Sequence, residues 1–299
     1  MEESIVTKGR RVEFNGIMAE NGIGGRAAMR RWMFAIALCQ CAAIGADTVE
    51  PPSLPPEAAQ QRFTFVRVQY DSIGGYGESW YHYDGRDWER WETDYPEAEE
   101  NFLIRLKELT TIDVNPKPTH IRLTDPMLFD YPLIYMCDPG WQLLTDDEVK
   151  ALRIYLERGG FLWIDDFWGI AEWQNLEEQM LRVFPDLKWG KIPATHPIFS
   201  MVFPLKECPQ VPAKIFYDMT GETYDIPDGH REPVGGIAGV KDTHFMGLFK
   251  DGRLMAVATH NNDIGDGWER ETEGEEFFRI FSTKSYALSV NILVYALTH

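Results

Sequence analysis

The chain has 299 residues and is 44% hydrophobic, ample for the core of one large domain or two small ones. Its formal charge of −18 argues against nucleic acid as a partner, because phosphate binding needs clustered Lys and Arg. The same charge argues against docking on anionic lipid, and its plainest meaning is solubility.

Met29-Arg30-Arg31, followed by Trp32 to Ala46, has a basic start, an apolar middle and small residues at its end. That is the form of a secretory signal peptide. The run is short for a membrane span; a short anchor or a buried helix are its other readings. The expected organisation is residues 1–28 upstream of the functional start, a signal peptide at 29–46, a Pro-rich linker at 47–62 and one α/β domain at 63–299. The location that follows is periplasmic or secreted, with no membrane span in the mature chain. Cys137 and Cys208 would then be the remaining cysteines, either paired in an oxidising compartment or buried as two free thiols.

Within the domain, Phe63 to Val68 reads as a first strand. Asp71 to Gly77 is Gly-rich but has no Gly-Lys-Ser/Thr ending, so it is not a phosphate loop. Trp80 to Pro96 interleaves Trp80, Tyr81, Tyr83, Trp88, Trp91 and Tyr95 with Asp and Arg. Such a stretch suits a sugar, or serves as a loop packed over the domain. Glu97 to Leu109 is an amphipathic helix. Thr119 to Leu123 and Pro132 to Cys137 are short strands. Thr145 and Glu148 form a capping box that starts a helix over Asp146 to Arg158, closed by Gly159. Phe161 to Ile164 follows as a wholly apolar strand, and Ile170 to Val183 as another helix. Lys191 to Leu205 is extended, and Cys208 to Pro233 is a long surface excursion. Gly247 to Phe249, Asp251-Gly252 and Leu254 to Thr259 signal a hairpin. Ser285 to Leu297 is a closing helix. This alternation predicts a mostly parallel sheet with helices on both faces, and a C-terminal half elaborated with a β-hairpin.

Several short motifs occur in a recognisable order. They are W-x-T-D-Y-P at Trp91–Pro96, Y-P-L-I-Y at Tyr131–Tyr135, L-T-x-x-E with R-G-G-F-L-x-x-D-D ending at Asp166, H-P-I-F at His196–Phe199, N-D-x-x-x-G-W-E at Asn262–Glu269 and N-I-x-x-Y-A-L at Asn291–Leu297. From about Phe63 to the C-terminus the chain resembles the family known as domain of unknown function 4159. The resemblance implies a class I glutamine amidotransferase-like fold, a flavodoxin-like α/β sandwich, with no established activity to carry over. An amidotransferase places a Cys on a tight turn after a central strand. Here Phe161 to Ile164 runs into Asp165-Asp166-Phe167-Trp168-Gly169, without Cys or Ser. The residues beside Cys137 do not make a nucleophile elbow, and Ile198 stands where the resemblance would put the Glu of His-Pro-Glu.

The candidate site is the carboxyl edge of the sheet, where ligands sit in open α/β folds. Asp166 and His196 are the catalytic candidates: a His beside a carboxylate can act as general base on water. Asp165, Trp168, Asp263, Trp91 and Asp94 are the ligand-binding candidates. Asp165 and Asp166 are also natural caps for the next helix, and His196 equally suits a structural role. Adjacent strand residues face opposite sides, so one of the two carboxylates is expected in any given cleft. The loop at His260 to Asp266 carries oxygen donors suited to calcium, but its spacing does not fit the helix-loop-helix pattern. It reads as a turn, and no Cys/His spacing makes a zinc site. No cofactor and no metal are expected. The expected function is a binding module for a polar small molecule or saccharide, or for a cell-envelope protein. A hydrolase in which Asp166 and His196 activate water on a saccharide or peptide is the alternative, and a purely structural role in an envelope complex a third reading.

Overall fold

A computed structural model describes residues 62–223 and 244–299. The leader at 29–46, nearly all of the linker and residues 224–233 of the predicted excursion lie outside the described residues.

Eleven strands and seven α-helices are described. The strands are β1 (Val66–Gln69), β2 (Asp71–Ser72), β3 (Trp80–Tyr83), β4 (Arg86–Glu89), β5 (Thr119–Arg122), β6 (Leu133–Cys137), β7 (Gln142–Leu143), β8 (Phe161–Phe167), β9 (Trp189–Lys191), β10 (His244–Lys250) and β11 (Arg253–His260). The helices are α1 (Glu97–Leu109), α2 (Asp146–Glu157), α3 (Gly169–Val183), α4 (Lys214–Thr220), α5 (Asp266–Glu269), α6 (Glu275–Phe277) and α7 (Thr283–Thr298). Seven strands form one sheet in the order β5-β1-β6-β8-β11-β10-β9. The first five in that order run parallel, and β10 is antiparallel to both neighbours. The chain lays β5 on one side of β1 and then crosses to β6 on the other. The order therefore reverses between β1 and β6, the place where open α/β sheets leave a crevice.

Both faces are covered. Phe102, Leu103 and Leu106 of α1 and Leu288, Ile292 and Leu293 of α7 pack with Leu133, Tyr135, Phe161 and Trp163 on one face. Leu152 and Leu156 of α2 and Leu176 and Met180 of α3 pack with Ile134, Met136, Leu162 and Ile164 on the other. This is why β6 and the Phe161–Ile164 part of β8 are apolar throughout: each strand feeds two cores. Glu275–Thr298 is long and apolar enough by composition to cross a bilayer, but it carries buried core residues here.

The capping box of α2 is formed, with the Thr145 hydroxyl accepting from Glu148 N and the Glu148 side chain accepting from Thr145 N. The predicted hairpin is β10–β11, turning at Asp251 and Gly252, both at positive φ, as a tight hairpin requires. Phe63 adds only an isolated bridge to Val114 before β1 begins. Two predicted loops contain structure. Trp80 to Glu89 is the β3–β4 hairpin, which turns on Asp84-Gly85, again at positive φ, and α4 lies within the excursion.

One irregularity matters for function. Ile164 pairs with Ala258 and Phe167 with His260, so Asp165 and Asp166 together face the single residue Thr259. This is a β-bulge, and Asp166 sits in it at φ 56°. Phe161 and Trp163 point to the α1–α7 face, whereas Phe167, of the same parity, belongs to the opposite core.

Candidate functional site

The carboxyl ends of β6, β8 and β11 open into a cleft of about 420 Å³. Asp138, directly after β6, Asp166 in the β8 bulge and Asp263 after β11 reach it from the sheet. Asp94 comes from the connection between β4 and α1, and Asp266 from the start of α5. Tyr81, Tyr83 and Trp168 complete one wall, and Lys214 and Arg270 another.

Local backbone chemistry sets these positions. Asp94, Asp138 and Asp166 all have positive φ, at 64°, 51° and 56°, a region that Asp and Asn tolerate better than other non-Gly residues. Asp166 N donates to Asn262 O at 3.1 Å and Asn261 N to Phe167 O at 2.9 Å, locking the ends of β8 and β11 together. The Asn262 side chain accepts from Val211 N and donates to Pro209 O, and Asn261 Oδ1 accepts from Gly169 N. Both Asn residues therefore hold the loop, as does His260, whose Nε2 bonds to Gly169 O. Asp263 and Asp266 are left facing the cleft.

Beneath the cleft, Arg67 of β1 is wholly buried. It pairs with Glu99 and donates to the carbonyls of Trp91 and Thr93 at 3.0 and 2.7 Å. These bonds fix the segment that delivers Asp94.

The cationic side chains of the cleft are engaged. Arg90 donates to Asp138 at 2.6 Å. Lys214 pairs with Asp218 and lies 4.0 Å from Glu273. Arg270 pairs with Asp266, Glu269 and Glu273. Asp94, Asp166 and Asp263 have no cationic partner among the described residues. Asp166 accepts from Trp168 Nε1 at 3.0 Å and from the Cys137 thiol at 3.7 Å. Asp263 accepts from Asp266 N at 2.8 Å. The Asp94 side chain makes no hydrogen bond among the described residues; the residue is half-buried, yet its Oδ2 has no solvent contact.

Burial is the first cause that raises the acidic groups of the cleft. The Asp94 pKa is pushed up to about 8 by burial and then by the Asp266 charge, against the pull of Arg67 and Arg270. Burial and the neighbouring carboxylates raise Asp166 and Asp263 well above the ordinary range. Burial also lifts Asp138 and Asp266, and Glu269 to about 10. Acidic groups so perturbed in a cleft are candidates for function.

Of the residues predicted from sequence, Asp166, Trp168, Asp263 and Asp94 line this one cleft. Three do not. Asp165 is fully buried below it, accepting from Tyr135 Oη at 2.9 Å, Gly265 N at 3.0 Å and the Thr259 hydroxyl. Burial brings its pKa to about 6, with those donors opposing a larger rise. Trp91 is buried against Tyr95 and His120, so it is a packing residue. His196 caps a 3-10 turn with its own ring, accepting from Ile198 N, and stacks near Tyr295 at 5.3 Å. Tyr295 in turn meets Phe161, the first residue of β8. Asp166 is five residues further along that strand, about 16 Å at the usual strand rise. Asp166 and His196 therefore sit at opposite ends of β8, and the pair does not assemble. Among the described residues no histidine lines the cleft.

Cys137 and Cys208 are free thiols. Burial raises the Cys137 pKa well above its usual value, which keeps the sulfur protonated and poorly nucleophilic. The sequence reading missed Asp138, Arg90, Lys214 and Arg270, and took Asp266 only as part of an oxygen-rich turn. The Asp84-Gly85 turn was a usable hairpin signal for the segment that brings in Arg90.

No curated protein matches the chain. Residues 64–297, most of the chain, match the family described as domain of unknown function DUF4159, and the chain belongs to that family.

Proposed function

We propose that this domain is a binding module that holds a polar ligand in the acidic cleft, and that it acts in the periplasm or as a secreted protein. The observation that carries the proposal is the meeting of Asp94, Asp166 and Asp263, from two connections and the β8 bulge, with no cationic partner among the described residues. A carboxyl that holds its proton donates one hydrogen bond and still accepts, and an ionised one accepts only. Either form fits a ligand rich in hydroxyl or amino groups, and Tyr81, Tyr83 and Trp168 offer aromatic surface for the apolar face of a sugar. The case for export rests on the Met29–Ala46 pattern. We further infer that the parallel strands belong to the flavodoxin-like, amidotransferase-like class; in chain order they lie second, first, third, fourth, fifth, as in that arrangement. A hydrolase acting through Asp166 and His196 is the weaker reading, because His196 lies far from the cleft.

A thermal-shift screen of neutral saccharides, amino sugars and envelope peptides tests the proposal. A ligand at a hundred times its dissociation constant adds about 2.7 kcal/mol to stability, and Asp166→Asn should remove that shift. A screen without any shift, or a shift unchanged in Asp166→Asn, Asp94→Asn and Asp263→Asn, would sink it.

A further inference from the structure

We infer that the ligand is a neutral saccharide of two or more rings, with its outer ring stacked on Tyr83 at the mouth of the cleft. The inference rests on the cleft being the ligand site, and it names the class of ligand and the residue that senses its length.

The β3–β4 hairpin presents an aromatic wall. Residues two apart on a strand share a face, so Tyr81 and Tyr83 point the same way, and both line the cleft. Trp80 and His82 take the opposite face, where Trp80 meets Tyr76 edge-on at 5.2 Å.

The inner half of the wall is fixed before any ligand arrives. Thr93 Oγ1 donates to Asp138 at 3.2 Å. A hydroxyl has one proton, so the Tyr81 hydroxyl, 3.0 Å away, donates to Thr93. The Arg90 guanidinium lies over the Tyr81 ring, 5.1 Å from its centre, and is itself held by Asp138 at 2.6 Å. These contacts order the ring while it still lines the cleft, and an ordered side chain costs little to use in binding.

The outer half is open. Tyr83 is 45% exposed. Arg86, its partner across the hairpin, lies over Trp88, 3.1 Å from that ring's centre, rather than over Tyr83. Toward the hairpin tip, Tyr83 stands about 6.6 Å beyond Tyr81 at the usual strand rise. A single sugar ring beside Tyr81 and Asp94 therefore leaves Tyr83 bare, and a second ring covers it. Ile215 of α4, 61% exposed, adds further apolar surface to the lining.

The pairing of aromatic wall and carboxyl floor decides the class. A sugar ring has an apolar C–H face for an aromatic side chain and a rim of hydroxyls, each both donor and acceptor. The carboxyl groups of Asp94, Asp166 and Asp263 serve that rim ionised or protonated. A flat aromatic ligand would stack equally well but leave these groups unused. An acidic saccharide would meet like charge, so the fitting chain is neutral.

The test is calorimetric titration of the full chain with glucose, N-acetylglucosamine and their α- and β-linked oligomers of two to four rings, with galacturonic acid oligomers as the acidic control. One neutral oligomer series should bind about tenfold or more tightly than its single sugar, and the acidic oligomers should not bind. Tyr83→Ala should weaken the oligomer about three- to tenfold, and more than it weakens the single sugar. Tyr83→Phe, which keeps the ring, should restore the affinity, and Tyr76→Ala, on the other face of the hairpin, should leave it unchanged. Equal melting temperatures check that the variants are folded. No saccharide binding, equal affinity for one ring and for several, or oligomer binding indifferent to Tyr83→Ala would each overturn the assignment. If saccharides fail while envelope peptides give a shift that Asp166→Asn removes, the saccharide falls and the cleft reading stands. If oligomer binding needs Tyr83 but ignores Asp94→Asn, Asp166→Asn and Asp263→Asn, the stacking wall stands and the carboxyl reading falls.

Discussion

Arg67 donates to the carbonyl of Thr93 at 2.7 Å, fixing the residue before Asp94 while leaving the Asp94 carboxyl unpaired. The same guanidinium neutralises the fully buried Glu99. Arg67→Met should therefore strand a buried charge and loosen the Trp91–Thr93 segment, at a cost of about 3–5 kcal/mol. Adding Glu99→Leu should recover much of that cost. Urea unfolding of the single and double variants measures both.

Stability should depend on pH in an unusual direction. Asp94 is lifted to about 8, and Asp166 and Asp263 are raised well above the usual range. The folded state thus binds these protons more tightly than the unfolded chain. The stabilisation is complete below about pH 4, the unfolded carboxylate value, and is lost as pH rises through about 8. The melting temperature should fall between about pH 5 and pH 9, by about 2–4 °C per kcal/mol for a domain of this size. Calorimetric melting across this range would expose a rise, which contradicts the prediction.

Asp166 carries a backbone demand as well as a charge. At φ 56° a Cβ-branched residue is strained. Among neutral replacements, Asn and Gly should be the most stable, Ala lower than Gly by about 1 kcal/mol or more, and Val lowest. Ranking the four by melting temperature checks this; Val equal to Gly would show that the bulge relaxes.

His196→Ala should leave cleft binding unchanged, since the ring packs near Tyr295 and Phe249. Its effect should be a modest loss of stability. A loss of ligand affinity in titration, with the melting temperature unchanged, would bring His196 back into the site.

Periodicity and caps made the fold legible. The apolar runs of β6 and β8, the Thr145–Glu148 box and the Asp251-Gly252 turn each lie where local pattern places them. The site was legible only in part. Asp166 and Asp263 could be read as residues at strand ends, where the architecture gathers side chains. Asp138, directly after β6, could have been read in the same way. His196 misled because a His-Pro pair carries chemistry in other chains, while here its position depends on contacts with Phe249 and Tyr295, distant in sequence. The two-against-one count at Asp165-Asp166 was invisible too, since a bulge depends on the partner strand. It puts both carboxylates on the Tyr135–Cys137 row of β6, although only Asp166 lines the cleft.

The left-handed backbone at Asp94, Asp138 and Asp166 narrows what inheritance can do with this cleft. Only Asn or Gly fits the same turns without strain, and neither carries the charge. A lineage that gave up its ligand could therefore drift to Asn or Gly at all three positions and keep its fold. A relative with that trio would be a natural loss-of-binding variant, ready for comparison without any engineering.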